Sequence, residues 1–184
     1  RKKTLIENTL DSIKDIKKIE LAVLSSDFKK ILKIGKKYKK CITIDRPKNI
    51  SNSKSTTEQA ILHVLKVLEK QNFKIKNIIL LQVTSPLRLR KDIIGSIQRF
   101  EKNNLNSIFS CYKKKPFIWR KKSNLLQSIS YNYKKRTISQ EMENMYFENG
   151  AIYIFNVKKF KEVKNRIIKP FDLYLMDEMN SLDI

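Results

Sequence analysis

The feature that most constrains the fold is an apolar run without polar alternation, N-I-I-L-L-Q at residues 77–82. A strand with one face in water alternates apolar and polar residues, so an unbroken run is typical of a strand covered on both faces of a parallel sheet. Apolar residues recur at helical spacing before it, in residues 61–68, and after it, in residues 93–100. The pattern predicts an α/β fold in which strands of a mostly parallel sheet alternate with helices.

The same alternation extends along the rest of the chain. Further apolar runs predict strands at residues 19–26, 41–45, 107–111 and 150–155. Helices are predicted after a cap at Asp27, after the capping box S-T-T-E at 55–58, and at 157–163. Residues 112–148 are aromatic and basic with weak periodicity, so a loop or hairpin excursion is expected there. Because 184 residues can bury one full core, residues 1–184 are interpreted as a single domain.

Several classes of protein are excluded by what the sequence lacks. No run approaches the roughly 18 to 20 apolar residues of a membrane span, and no apolar signal core follows the N-terminal charges. We therefore expect a soluble, cytoplasmic protein that does not bind a membrane. Cys41 and Cys111 are far apart, without Cys or His at metal-ligand spacing, which argues against a zinc site or a disulfide framework.

The net charge of +22 raises the possibility of nucleic-acid binding. Only eight of the 40 basic residues are arginine, and the lysines are scattered among many Ile and Asn residues rather than gathered into one basic stripe. This composition is what AT-rich codons impose on solvent-facing positions. We interpret the lysines as solvated and expect no nucleic-acid partner. A non-catalytic basic module that binds nucleic acid or an anionic surface remains the alternative.

The stretch Q-V-T-S-P-L-R at 82–88 follows the central strand directly. Ligands of open α/β sheets bind at the carboxyl ends of strands, and helix N-termini favour anions. Thr84, Ser85 and Arg88 would suit a phosphate or carboxylate in that position. A hydroxyl cap with proline in the first helical turn explains the stretch equally well, so both interpretations stay open for this segment alone.

Four short motifs occur in a particular order: R-P at 46–47, Q-V-T-S-P-L-R at 82–88, N-G-A-I-Y-I at 149–154 and S-L-D-I at 181–184. In order and spacing they resemble the acylneuraminate cytidylyltransferase family, and the resemblance runs from residue 4 to residue 184. It implies a Rossmann-like, three-layer nucleotidyltransferase, usually a homodimer, with residues 112–148 as a dimerisation or sugar-binding excursion. Such enzymes join CTP to a nine-carbon keto sugar acid, release pyrophosphate and use Mg²⁺.

The resemblance also implies roles for individual residues. It assigns nucleotide contacts to Arg46, Thr57, Thr84 and Ser85, sugar-acid contacts to Gln82, Asn149, Tyr153 and Arg136, and a magnesium ligand to Asp183. It implies no covalent nucleophile. Arg46 would supply charge-assisted hydrogen bonds to the anionic nucleotide.

The sequence departs from the family pattern at several points. The first strand and its triphosphate loop would precede residue 1, and a second aspartate would be residue 185, so we expect residues 1–184 alone to be a fragment without activity. Ser139 stands where the family commonly has an arginine for the sugar carboxylate, and Arg136 could substitute for it. The sugar therefore stays open among sialic, pseudaminic, legionaminic and keto-deoxy-octulosonic acids.

Overall fold

The computed structural model describes residues 3–136, 138 and 140–184. Helices and strands alternate over most of this length, and each predicted strand and helix is found close to its expected position. In chain order the elements are α1 (Leu5–Ile13), β1 (Ala22–Ser26), α2 (Lys29–Gly35), β2 (Cys41–Asp45), α3 (Thr57–Lys70), β3 (Asn77–Leu81), α4 (Arg90–Lys102), β4 (Ser107–Lys114), β5 (Trp119–Lys122), β6 (Leu125–Ser128), β7 (Met145–Asn156), α5 (Val157–Val163) and β8 (Phe171–Leu175).

The main sheet has the strand order β3-β7-β4-β8. Strand β7 is antiparallel to both β3 and β4, whereas β4 and β8 are parallel. Three of the four strands therefore run in one direction, but two of the three strand pairs are antiparallel, so the sheet is mixed. Strand β3, predicted as a central strand of a parallel sheet, lies at one end of this sheet beside the antiparallel β7. Strands β1 and β2 form a separate parallel pair, with Ala22 opposite Cys41 and Ser26 opposite Asp45.

Helices cover both faces of the main sheet, which gives three layers. On one face, apolar residues of α1 and α4 pack against alternate strand residues. On the other face, α3 and α5 pack against the intervening residues of the same strands. The first core includes Leu10, Ile13, Ile93, Ile97, Ile108, Ile152 and Ile154, and the second includes Ile61, Leu65, Tyr153, Phe155, Val157 and Phe160. The arrangement is a Rossmann-like α/β fold.

Two helix caps differ from the prediction. Asp27 does not cap α2, which starts at Lys29 after Phe28 without a side-chain cap. Helix α3 is capped by Thr56, whose hydroxyl accepts from the Gln59 backbone N–H at 3.2 Å, so the capping box lies one residue later than expected. Thr56 has the extended backbone that an N-cap requires, and this conformation determines where the capping box lies.

The excursion at residues 112–148 consists of a hairpin between two long strands. Strands β4 and β7 pair as far as Lys114 and Met145, and β5 and β6 form an antiparallel hairpin beyond them. Both cysteines are free. Among the residues that the structure describes, no helix has the length and apolar character to cross a membrane.

Candidate functional site

A cavity of about 750 Å³ lies beyond the carboxyl ends of β3, β4 and β8. Strand β7 crosses it in the reverse direction and contributes one wall. Such an edge of an α/β sheet is the usual position of a ligand site. The lining residues are Leu87, Tyr112, Glu148, Asn149, Gly150, Tyr153, Glu178, Met179, Ser181, Leu182 and Asp183.

The loop after β3 packs directly against β7. Gly150 has a φ of +72°, and a Cβ at this position would lie 2.5 Å from the Gln82 Oε1 atom. Glycine is therefore required by the backbone conformation, and its lack of a side chain leaves room for the Gln82 amide. This contact places Gln82 next to the cavity wall.

Arg88 holds the same loop from inside the protein. It is only 6% exposed, and its Nη1 donates to the Gln82 carbonyl at 2.9 Å and to the Ala151 carbonyl at 2.8 Å. Burial lowers the pKa of its guanidinium to about 10. Of the two interpretations left open for residues 82–88, the structure favours a structural role for Arg88, because its guanidinium donates to backbone carbonyls inside the protein.

One backbone hydrogen bond ties the loop to the chain end that carries Asp183. The Ile184 N–H donates to the Thr84 carbonyl at 3.0 Å, which brings the Thr84 and Asp183 segments side by side. Ser85 is buried, and its Oγ has no hydrogen-bond partner among the described residues.

Asn149 fixes the segment before Asp183. Its Oδ1 accepts from the Ser110 hydroxyl at 2.6 Å, and its Nδ2 donates to the Ser181 hydroxyl at 2.9 Å. The Ser181 hydroxyl in turn donates to the Asp177 carbonyl at 2.9 Å. Since Asn149 is 6% exposed, most of its amide serves to link β4, β7 and the residues leading to Asp183.

Tyr153 lies at the base of the cavity and is 3% exposed. Its hydroxyl donates to the Glu148 carboxylate. The Arg166 guanidinium lies 4.6 Å from the centre of the tyrosine ring, and Arg166 Nη1 is 2.7 Å from Glu58 Oε1. Burial, reinforced by the hydrogen bond to Glu148, raises the pKa of Tyr153 to about 12.

The structure brings some of the predicted site residues together and leaves others apart. Asn149, Tyr153 and Asp183 line the cavity, whereas Gln82, Thr84 and Ser85 belong to the loop beside it.

Arg46 and Thr57 lie outside the cavity lining, after β2 and at the start of α3. The Arg46 N–H donates to the Ser26 carbonyl at 3.0 Å, and its Nε is buried without a partner in the described chain. Arg136 lies in the excursion with its guanidinium 4.6 Å from the Phe117 ring centre, also away from the lining. Ser139 is outside the described residues.

Carboxylates dominate the charge of the cavity. Glu148, Glu178 and Asp183 all line it, and none of the described lining residues is Lys or Arg. Lys114 forms an ion pair with Glu178. Sequence reasoning missed Glu148, although it stands immediately before the N-G-A-I-Y-I motif. It also missed Arg166, for which the local sequence carries no signal.

The side chains near Asp183 determine how Mg²⁺ could be bound there. Asp183 is exposed, and the described residues contain no group of three or more His, Cys, Asp or Glu side chains that could hold a metal ion. Magnesium is often bound by one or two carboxylates, with phosphate oxygens and water completing the shell. Asp183 fits that mode of binding, in which the substrate supplies most of the ligands.

Sequence comparisons find related enzymes at low identity. Pseudaminic acid cytidylyltransferase of Campylobacter jejuni serotype O:2 is 25% identical over 174 residues, covering 91% of this chain and 73% of that protein. The enzyme of the same name from serotype O:23/36 is 25% identical over 153 residues, covering 80% of this chain and 65% of that protein. No protein-family model matches the sequence.

Solved structures share the fold. A 4-diphosphocytidyl-2C-methyl-D-erythritol synthase superposes with a TM-score of 0.71 at 12% identity over all of this chain and 86% of that chain. The corresponding synthase of Anaerococcus prevotii gives 0.67 at 14% identity, over 99% and 80% of the two chains. A CMP:2-keto-3-deoxy-manno-octonic acid synthetase complexed with CTP gives 0.62 at 11% identity, over 94% and 79%. The Rossmann-like fold predicted from the sequence is therefore confirmed.

Proposed function

We propose that this protein transfers CMP from CTP to an acid sugar and releases pyrophosphate. The observation that carries the proposal is the convergence of three separate motifs on one cavity. The loop containing Thr84, the Asn149 segment of β7 and the chain end with Asp183 are joined there by direct hydrogen bonds. Cytidylyltransferases among both the sequence relatives and the solved structures of this fold support it.

In this mechanism the chain positions two anionic substrates and needs no covalent nucleophile. Arg46, which directly follows β2, and Thr57, the first residue of α3, would contact the nucleotide, and the Arg46 guanidinium would supply charge-assisted hydrogen bonds. Asp183 would hold Mg²⁺, which supplies charge neutralisation on the phosphate oxygens. Asn149 and the Thr84 carbonyl would keep Asp183 aligned while the sugar hydroxyl attacks the α-phosphorus.

For the sugar, we favour pseudaminic acid over sialic acid. Two relatives that are each 25% identical to this chain act, by name, on pseudaminic acid. The cavity also combines Leu87, Met179 and Leu182 with carboxylates, which suits a sugar that carries apolar substituents besides hydrogen-bond donors. Sialic, legionaminic and octulosonic acids are the competing substrates that the assay must include.

The proposal includes a homodimer that forms through the excursion. The hairpin displays apolar side chains to solvent, with Leu125 78% and Leu126 65% exposed. Such a surface would be covered by a second copy. Arg136, on the same excursion, would serve the sugar carboxylate, because the described cavity lining has no cation of its own.

The test is pyrophosphate release by the full-length protein from CTP, Mg²⁺ and each of the four acid sugars. Asp183→Asn is expected to lower turnover by at least a hundredfold, because magnesium loses its protein carboxylate. Asp177→Asn is the matched control, since Asp177 is an exposed carboxylate of the same segment outside the cavity lining. Normal turnover in Asp183→Asn, or equal losses in both variants, would refute the assignment.

The alternative of a basic nucleic-acid-binding module predicts different behaviour. Its affinity would fall steeply with salt and would not respond to Arg46→Ala. Binding of CTP should instead depend on Arg46 and on magnesium.

A further inference from the structure

We propose that Glu148 determines specificity for the sugar acid: its carboxylate accepts hydrogen bonds from O–H or N–H groups of the sugar, and Tyr153 and Arg166 are positioning residues that hold it in place. This inference rests on the proposed function of the cavity. Glu148 is a residue that neither the motifs nor the comparisons identify. The inference also gives a positioning role to Tyr153, whose hydroxyl already donates to Glu148.

The charge of the cavity defines which part of a ligand can face Glu148. Glu178 is paired with Lys114, whereas Glu148 and Asp183 form no ion pair with any described residue. Because the charged side chains that line the cavity are carboxylates, which accept hydrogen bonds, a ligand beside them must supply hydrogen-bond donors. A sugar acid has such donors in its hydroxyl and amide groups. Its own carboxylate would be repelled and must point away from Glu148, toward the rim.

Glu148 is held by a buried partner. The carboxylate is exposed and would be free to change rotamer, but the Tyr153 hydroxyl donates to it from a side chain that is 3% exposed. A rigid, buried donor restricts where the carboxylate oxygens can lie. The remaining oxygen lone pairs stay available to a ligand, since an ionised carboxylate accepts several hydrogen bonds.

Tyr153 is in turn fixed from its other side. Arg166 covers the ring at 4.6 Å and is anchored by Glu58, which belongs to the first turn of α3. The side chains of Arg166 and Glu58 are 22% and 27% exposed, so their pair is partly shielded from solvent. The chain Glu58, Arg166, Tyr153, Glu148 thus links α3 to the cavity through three direct contacts. Thr57, a predicted nucleotide contact, directly precedes Glu58.

The experiment measures the dissociation constant of pseudaminic and sialic acid by calorimetric titration of the full-length protein, with CTP affinity measured in parallel. Glu148→Gln keeps the shape but removes the charge, so affinity for the preferred acid should fall about tenfold to a hundredfold. Affinity for CTP should not change. Glu143→Gln removes an exposed carboxylate outside the cavity lining and is expected to leave both constants unchanged.

The positioning role is tested by a double-mutant cycle. Tyr153→Phe and Arg166→Ala should each weaken binding of the sugar acid without altering CTP binding, and Arg166→Lys should restore part of the loss. In a Glu148→Gln background the same changes should have little further effect, because the group they position no longer carries its charge. A general loss of structure would weaken both substrates and lower the melting temperature in either background.

The outcomes separate the two proposals. If the wild type turns over and Glu148→Gln binds the sugar acid as tightly as the wild type does, the proposed role of Glu148 is overturned and the proposed reaction stands. Absence of turnover, with acid binding that depends on Glu148, refutes the proposed reaction and supports the binding role. Failure to bind any acid sugar overturns both.

Discussion

At the scale of single residues, Arg88 is the most unusual side chain in the structure. A guanidinium with 6% exposure normally requires a carboxylate partner, yet Arg88 forms no ion pair with a described residue and instead donates to two carbonyls and, at 3.4 Å, to the Thr9 hydroxyl. Those carbonyls belong to Gln82 and Ala151, on the loop and the strand that meet beside the cavity. Arg88 therefore stabilises the backbone on which the site is built.

Replacement of Arg88 should cost considerably more than replacement of its neighbour. Arg88→Met removes the side-chain donor of both carbonyls and leaves the Gln82 carbonyl with only the Ser85 N–H at 3.4 Å, so the free energy of unfolding should fall by about 2 to 4 kcal/mol. Arg90→Met removes an exposed arginine that is 3.3 Å from Asp15, and the loss should stay below about 1 kcal/mol. Urea unfolding followed by circular dichroism would measure the free energy of unfolding of both variants. Equal losses of stability would contradict the structural role of Arg88.

The difference between these two arginines could not be predicted from the sequence. Both follow the strand end in L-R-L-R, and burial of one depends on the reversed strand β7, more than 50 residues later in the chain. Local pattern placed Thr84 after a strand, and the family resemblance singled out Asn149 and Asp183; the structure brings the three segments together. Local pattern could not place Arg166 or identify the partner of Glu148, because both contacts join elements that are distant in sequence.

At the scale of elements, α4 is tied to the edge strand β8 by one ion pair and one close contact. Arg99 Nε lies 2.7 Å from Asp172 Oδ2, and the hydrogen bond from Arg99 lowers the pKa of Asp172 below its usual 3.8. A Cβ on Gly95 would lie 2.5 Å from the Tyr174 hydroxyl, so the helix can approach the strand this closely only with glycine there.

Stability from the Arg99 pair should depend on pH. A depressed folded-state pKa means that the pair stabilises the protein above about pH 3.8 and that this contribution is lost as pH falls through the folded value. The side chains are 47% and 27% exposed, so we expect only about 0.5 to 1 kcal/mol at neutral pH.

The measurement is an NMR titration of the Asp172 carboxyl carbon. Its midpoint should lie below 3.8 in the wild type and move up toward 3.8 in Arg99→Gln. Lys102→Gln, which removes a charge from the last turn of the same helix, should leave the midpoint nearly unchanged. An identical midpoint in all three proteins would show that Arg99 does not act on Asp172.

Elements with a strong local signal were predicted from the sequence, and two weaker ones were not. The helices α3 and α4 follow from apolar residues at helical spacing, and the strands β3 and β7 follow from apolar runs. Helix α1 was missed although T-L-I-E at residues 4–7 forms a capping box, with the Glu7 N–H 3.2 Å from the Thr4 hydroxyl. Strand β8 is an edge strand whose pairing with β4 depends on the tertiary fold, so F-D-L-Y-L gave no clear signal.

At the scale of the whole molecule, a net charge of +22 opposes association of two copies, so any dimer must gain its stability from apolar contact. The excursion offers that contact. Besides Leu125 and Leu126, Ile129 is 51% and Ile138 66% exposed. Leu125 and Leu126 lie on the hairpin and Ile129 directly follows it, and exposed aliphatic residues on a hairpin are typical of an interaction surface rather than of a solvated loop.

Substitution on the hairpin should therefore separate the copies. Leu125→Glu combined with Leu126→Glu makes each chain less positive, which reduces charge repulsion, yet we expect the dimer to dissociate because buried apolar area is lost. Phe28→Glu is the control: Phe28 is an equally accessible apolar residue, 65% exposed, directly before α2. This change should not alter the sedimenting mass of the protein. Sedimentation velocity over a range of concentrations would measure all three proteins. A wild type that stays monomeric, or a double variant that stays dimeric, would exclude the excursion as the interface.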